Sequence, residues 1–173
     1  MKNVELKLLG ELSRNSRRSD RELAKQLHVS QPTVTRIRNR LEKEGFIREY
    51  TIIPDFNKLG YQMASITFAR MTETPSQETI TDIRKKAREL EKGNPSPTIV
   101  SMRGIGCEAD YVSVAFHKDY SEYAEYSRYI RQFPHVKVDE IKSFVIDLND
   151  QNHFRYLTLS VFADYLSRTK ESS

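Results

Sequence analysis

Ser19-Asp-Arg-Glu-Leu-Ala-Lys-Gln-Leu-His-Val-Ser-Gln-Pro-Thr-Val-Thr-Arg-Ile-Arg-Asn-Arg-Leu-Glu-Lys-Glu-Gly45 reads as two short helices joined by a tight turn, the second studded with arginine. Ser19 and Glu22 have the spacing of a capping box, in which each side chain satisfies a backbone N–H near a helix start. Leu23, Ala24 and Leu27 then fall on one face, and Ala24 is small enough to admit a crossing helix. Ser30 can cap the next helix, Pro32 lies in its first turn where a missing N–H does no harm, and Gly45 supplies a left-handed stop. His28 takes the turn between the two, a left-handed position that histidine visits more readily than most residues.

On a projection of the second helix, Val34, Ile37 and Leu41 form an inward stripe, while Pro32, Thr35, Arg36 and Asn39 point the opposite way. Such a pair of helices is suited to placing the second in the major groove of DNA. Arginine can fork onto guanine, asparagine and glutamine can pair with adenine, and threonine offers a hydroxyl or a methyl. Ser30, Gln31, Thr35, Arg36 and Asn39 are therefore the candidates for base edges. Arg14, Arg17, Arg18, Thr33, Arg38, Arg40 and Lys43 flank them and are the candidates for phosphates, which give affinity without sequence information.

Charge is distributed accordingly. Residues 1–60 hold 13 Lys and Arg against 8 Asp and Glu, whereas residues 61–173 hold 15 against 16. The whole positive excess sits at the helix-turn-helix end, as a polyanionic partner requires. The 173 residues can bury a real core and suit one or two domains. One cysteine, Cys107, rules out an internal disulfide and a cysteine-based zinc cluster. A lone cysteine in a turn near Arg103 is more often inert than a redox sensor. The absence of a long apolar run and of a signal-peptide pattern predicts a cytoplasmic, nucleoid-associated protein without a membrane partner.

Ahead of the motif, residues 4–13 carry leucines at 6, 8, 9 and 12 and predict a first helix. After Gly45, residues 46–56 are β-rich and interrupted at Pro54, which predicts a strand or wing doubling as a linker. From Tyr61 the period changes. Strands are expected at 62–71, 98–104, 110–117 and 137–148, with a Gly104-Ile-Gly106-Cys turn between the middle two. Helices are expected at 76–92, with Ile80, Ile83, Ala87 and Leu90 inward, and from Asp119 to near Phe133, with tyrosines at 120, 123, 126 and 129 for packing and dimer contact. This β-α-β-β-α-β order is the ferredoxin-like plan, in which helices cover one sheet face and leave the other for a partner. A second copy of the chain would also supply the paired reading heads that a palindromic site demands. Domains are thus expected at 1–60 and 61–150, followed by an extension, 151–173. Within that extension residues 154–166 fit a helix with apolar Phe154, Leu157, Val161 and Tyr165, although residues 155–161 also alternate well enough for a strand.

Both halves together resemble the Lrp/AsnC family of transcription regulators. The resemblance rests on Leu8-Leu9-Gly-Glu-Leu12, Arg21-Glu-Leu-Ala24, Val29-Ser30, Thr35-Arg36-Ile-Arg38, Leu41-Glu-Lys-Glu-Gly45-Phe-Ile47, Tyr50 and Leu59-Gly60, and beyond residue 61 on element order. It implies an α+β chain: an N-terminal winged helix-turn-helix followed by a C-terminal ferredoxin-like (RAM-like) βαββαβ module. It also implies homodimers or higher even-numbered assemblies on double-stranded DNA, no cofactor, and regulation by an amino acid or similar small molecule. In the family a Gly-x-x-Asp segment between the second and third strands helps build the effector pocket. The corresponding stretch here is the longer Arg103-Gly-Ile-Gly106-Cys-Glu-Ala-Asp110, so Gly104, Gly106 and Asp110 are the effector candidates. The bland alternative is a tight turn with Asp110 starting a strand.

Two other function classes stay open at this point. Lrp-like folds also occur in sirohaem decarboxylases of tetrapyrrole metabolism, but His28, His117, His135 and His153 form no metal-spaced or nucleophile–base constellation and read better as surface or packing residues. An architectural DNA-coating protein would share the basic helix but occupy unrelated sequences evenly.

Overall fold

The computed structural model describes residues 2–72, 76–133, 135–152, 155 and 157–168. The chain divides into two compact units, one of residues 1–54 with 153–173, the other of residues 55–152. This division falls six residues before the expected boundary at 60, because residues 55–61 turn back on themselves through the Phe56 carbonyl, which accepts from the Leu59 and Tyr61 N–H groups.

The first unit is built on three helices, α1 (Asn3–Arg14), α2 (Asp20–Leu27) and α3 (Gln31–Lys43). Their boundaries follow the local chemistry. Ser19 accepts from the Glu22 N–H while the Glu22 carboxylate accepts from the Ser19 N–H at 2.8 Å, the reciprocal capping box. His28 ends α2 at φ 54°, and Gly45 follows α3 at φ 75°. Leu8, Leu12, Leu23, Ala24, Val34, Ile37 and Leu41 form a single buried cluster, with Leu27 and Ile47 packed against it.

Two expectations for this unit are corrected. Residues 47–55 form no strand. β-rich composition favours an extended backbone, but a strand exists only when a neighbour pairs with it, and this segment has none among the described residues. It leaves Phe46, Tyr50, Ile52 and Ile53 exposed. The tail does form a helix, the last one of the described residues, but it is shorter than expected. Placed against α1, this helix (Ser160–Arg168, α6 below) buries Ala163, while Leu157, Val161 and Tyr165 stay exposed. Close approach to α1 selects the small side chain rather than the apolar stripe. Phe154 and His153 lie outside the described residues.

The second unit follows the βαββαβ order: β1 (Met63–Ala69), α4 (Gln77–Glu91), β2 (Thr98–Gly106), β3 (Ala109–His117), α5 (Tyr120–Ile130) and β4 (Lys142–Asp147). The antiparallel sheet runs β2-β3-β1-β4. The β2–β3 turn lies later than expected, at Cys107 and Glu108 with φ 51° and 57°, and Gly104 belongs to β2 itself. Residues 138–140 form a 3-10 turn, so β4 begins at Lys142. Ile80 and Ile83 are half-buried, whereas Ala87 and Leu90 lie outside the described side chains.

Register separates the two sheet faces. Ser65, Ala115 and Val145 align in one row, and Thr67, Ser113 and Ser143 in another on the same face. There Ser113 shares a 2.9 Å hydrogen bond with the Tyr126 hydroxyl of α5. Tyr126 and Ile130 are buried, Tyr123 and Tyr129 half-buried, and Tyr120 is 70% exposed, so the tyrosine series packs only in part. The buried imidazole of His117 bridges the Ser65 hydroxyl at 2.8 Å and the Ser96 hydroxyl at 2.7 Å. The opposite face presents the rows Phe144–Ile66–Val114–Val100 and Lys142–Phe68–Val112–Met102, with Phe144 and Met102 strongly exposed. No described helix is long and apolar enough to cross a membrane.

His117 makes stability pH-dependent. Burial pushes its pKa below the ordinary histidine value, against a weaker upward pull from Glu122. Below about pH 6.5 an unfolded chain takes up a proton that the folded one resists. His117 therefore stabilises the fold fully above that pH, and the contribution is lost as pH falls towards its depressed pKa. Urea titrations at stepwise lower pH should show a loss for the wild type that is absent in His117→Asn.

Candidate nucleic-acid interface

The proposed reading face begins with the start of α3. Ser30 caps it, accepting from the Thr33 N–H at 3.4 Å, and the Ser30 and Thr33 hydroxyls lie 2.8 Å apart. This fixes the first turn and leaves Pro32 without an unmet donor. Val34, Ile37 and Leu41 anchor the inner face of the helix, so residues offset from them must point out. Gln31, Pro32, Thr35, Arg36 and Asn39 are all exposed and line one shallow surface concavity. It has the mix of donors, acceptors and apolar groups that a base-pair edge demands.

The candidate phosphate contacts separate into two groups. Arg38 turns away from solvent: its Nη2 lies 2.7 Å from the Asp20 carboxylate and donates to the Arg18 carbonyl at 3.3 Å. Its guanidinium lies 5.8 Å from the Tyr50 ring centroid. Arg40 pairs with Glu5, a buried carboxylate that this guanidinium holds below its ordinary pKa. Glu11, also buried, takes both Arg14 and Arg18, and Arg14 reaches Asp164 of α6 at 2.5 Å as well. Buried carboxylates need a cation, and Arg14, Arg18 and Arg40 supply it to Glu11 and Glu5, while Arg38 pairs with the half-buried Asp20. Arg17, Arg36 and Lys43 are exposed and form no ion pair among the described residues. Arg21 and Arg48, which the sequence did not single out, share that condition.

Sequence reading gave no role to Asp20 or Tyr50. Asp20 joins α2 to α3, accepting from the Thr35 hydroxyl at 2.6 Å through one oxygen and facing Arg38 through the other. The Tyr50 hydroxyl donates to the Glu42 carboxylate at 2.7 Å, and partial burial together with that bond raises its pKa. Asp20 sits in the first turn of its helix, where an acidic residue is expected for dipole reasons alone. Only the tertiary crossing shows its second task.

The effector candidates lie around the β2–β3 turn, where Gly106 pairs with Ala109, the residue before Asp110. Gly104 and Gly106 lie along the end of β2, and the Asp110 carboxylate accepts from the Met71 N–H at 3.2 Å, tying β3 to the end of β1. A carboxylate so engaged ties the two inner strands together at one end of the sheet. Cys107 is exposed in the turn beside Glu108, whose carboxylate pairs with Lys142.

A model of winged helix-turn-helix DNA-binding domains matches residues 1–48. Over 92 residues the chain is 36% identical to an HTH-type transcriptional regulator of Pyrococcus horikoshii named PH0061, a match covering 52% of this chain and 62% of that protein. Over 66 residues it is 38% identical to the HTH-type transcriptional regulator LrpC of Bacillus subtilis, covering 38% of this chain and 46% of the relative. The matched stretches thus span less than two thirds of either relative. In three dimensions the crystal structure of PH0061 superposes with a TM-score of 0.70 at 25% identity, over 91% of this chain and 97% of that one. The complex of the Neisseria meningitidis transcriptional regulator NMB0573 with L-Met shares the fold, with a TM-score of 0.69 at 18% identity over 94% and 99% of the two chains. The chain thus carries a winged helix-turn-helix module over residues 1–48 and shares the fold of these solved transcriptional regulators.

Proposed function

We propose that the chain is a sequence-specific transcriptional regulator, not an enzyme, that binds an inverted repeat in double-stranded DNA as a homodimer, in the cytoplasm on the nucleoid. The observation that carries this is the outward face of α3, where Gln31, Pro32, Thr35, Arg36 and Asn39 share one concavity while Arg36 forms no ion pair among the described residues. Base reading falls to these residues and Ser30, and phosphate contact to Arg17, Lys43 and the exposed Arg21 and Arg48. Pairing through the apolar sheet face would supply the two reading heads, and half-sites would then lie about one helical turn, or a multiple, apart. Tuning by an amino-acid-like molecule is part of the reading, supported by the L-Met complex of the N. meningitidis protein.

The decisive test is Arg36→Ala against the selected operator. It should cost about 1–3 kcal/mol of binding and relax the preference at one base pair per half-site. Arg38→Ala should behave differently, lowering thermal stability because it strips Asp20 of its cation. Unchanged affinity and base preference in Arg36→Ala would refute the assignment of the reading face. Binding that is insensitive to salt would count against the whole proposal, since phosphate contacts release counterions.

A further inference from the structure

Thr35 carries one hydroxyl proton, and the protein consumes it. The Oγ1 atom donates to the Asp20 carboxylate at 2.6 Å and lies 3.2 Å from the Gln31 carbonyl, the i−4 acceptor of its own helix. Asp20 is itself held, since its other oxygen lies 2.7 Å from the Arg38 Nη2. The hydroxyl therefore has no proton to offer a base, although the residue is exposed on the proposed reading face. Its oxygen can only accept, and the other distinctive group of the side chain is a methyl. One turn earlier stands Pro32, exposed in the same concavity, with a ring that has no polar atom free to hydrogen-bond. Residues three apart on a helix are neighbours, so the Thr35 side chain and the Pro32 ring make an apolar spot bordered by polar Gln31, Arg36 and Asn39.

The major groove offers one group that such a spot can recognise, the 5-methyl of thymine. We propose that Pro32 and Thr35 form a seat for a thymine methyl, with Asp20 as the positioning residue that withholds the Thr35 hydroxyl from the DNA. The inference rests on the reading of α3 as the groove helix and adds to it the identity of one recognised base.

Deoxyuridine lacks only the methyl, so the first arm of the test requires no variant. In a duplex selected by the full-length chain, each thymine is replaced in turn by deoxyuridine and affinity is measured by fluorescence anisotropy. One position per half-site should weaken binding about three- to tenfold, the scale of one buried methyl. Thr35→Val, which keeps a methyl and loses the hydroxyl, should retain that discrimination. Thr35→Ser, which keeps the hydroxyl and loses the methyl, should abolish it. Thermal unfolding of both variants establishes that each is folded. Tolerance of deoxyuridine at every position would overturn the inference, as would discrimination that survives in Thr35→Ser and vanishes in Thr35→Val. Both results leave duplex binding intact, and so differ from a chain that binds no duplex at all, which would end the regulator reading together with this one.

Discussion

Phe144→Asp is expected to yield a monomer whose affinity for a two-half-site duplex is lower by about 10²–10⁴-fold, the range that linked binding confers. Phe144 is 64% exposed on β4, and the register places it beside Ile66, which in turn lies beside Val114. With Phe68, Val112 and Met102 in the next row, these two rows are apolar apart from Lys142. A surface of this kind is usually covered by a partner. A carboxylate introduced there, on the edge strand β4, would have to be stripped of water in the interface, where the neighbouring Lys142 is already paired with Glu108, a cost a dimer interface cannot absorb. The opposite face of the sheet, with its hydrogen-bonded serines and Tyr126, is untouched, so the monomer should stay folded. Sedimentation velocity reads the assembly and gel shifts read the binding. A Phe144→Asp protein that remains dimeric would move the interface elsewhere.

Leu23→Ala carries the largest expected loss of stability, about 2–5 kcal/mol for removal of a fully buried leucine side chain. Leu23 has no exposed surface and lies in the cluster shared by α1, α2 and α3. The second unit has a core of its own around Ala115, Tyr126 and Ile130. The loss should therefore fall on one unfolding transition and spare another. Calorimetry of the variant should show the transition of the first unit moved down and the other in place, with DNA binding disappearing at the lower temperature. A uniform shift of all unfolding would mean that the two cores melt as one.

What the sequence revealed tracks how local each determinant is. Ser19, Glu22, Ser30 and Gly45 act within a turn of where they stand, so the edges of α2 and α3 could be read directly. Alternation and length were enough for the βαββαβ order. The outward set Gln31, Pro32, Thr35, Arg36 and Asn39 followed from helical geometry once the inward stripe was known. Illegible were the partners across space. Helical projection set Arg36 apart from Arg38 but could not show that Arg38 meets Asp20, because the crossing of α2 over α3 decides it. Gly104 and Gly106 drew attention to themselves as turn formers, but only Gly106 takes a positive φ, at 146°, and the turn itself falls on Cys107 and Glu108. Residues 47–55 had strand composition without a strand to join.

The docking of α6 on α1 has a consequence for synthesis. Chains emerge from the ribosome with the N-terminal end first. The three helices of the first unit are therefore complete, and their shared leucine cluster can close, long before α6 exists. Until the whole of residues 55–152 has been translated, the side of α1 that meets Ala163 stands bare to solvent in the nascent polypeptide, and Arg14 waits for Asp164. A helix made early is thus finished by one made much later.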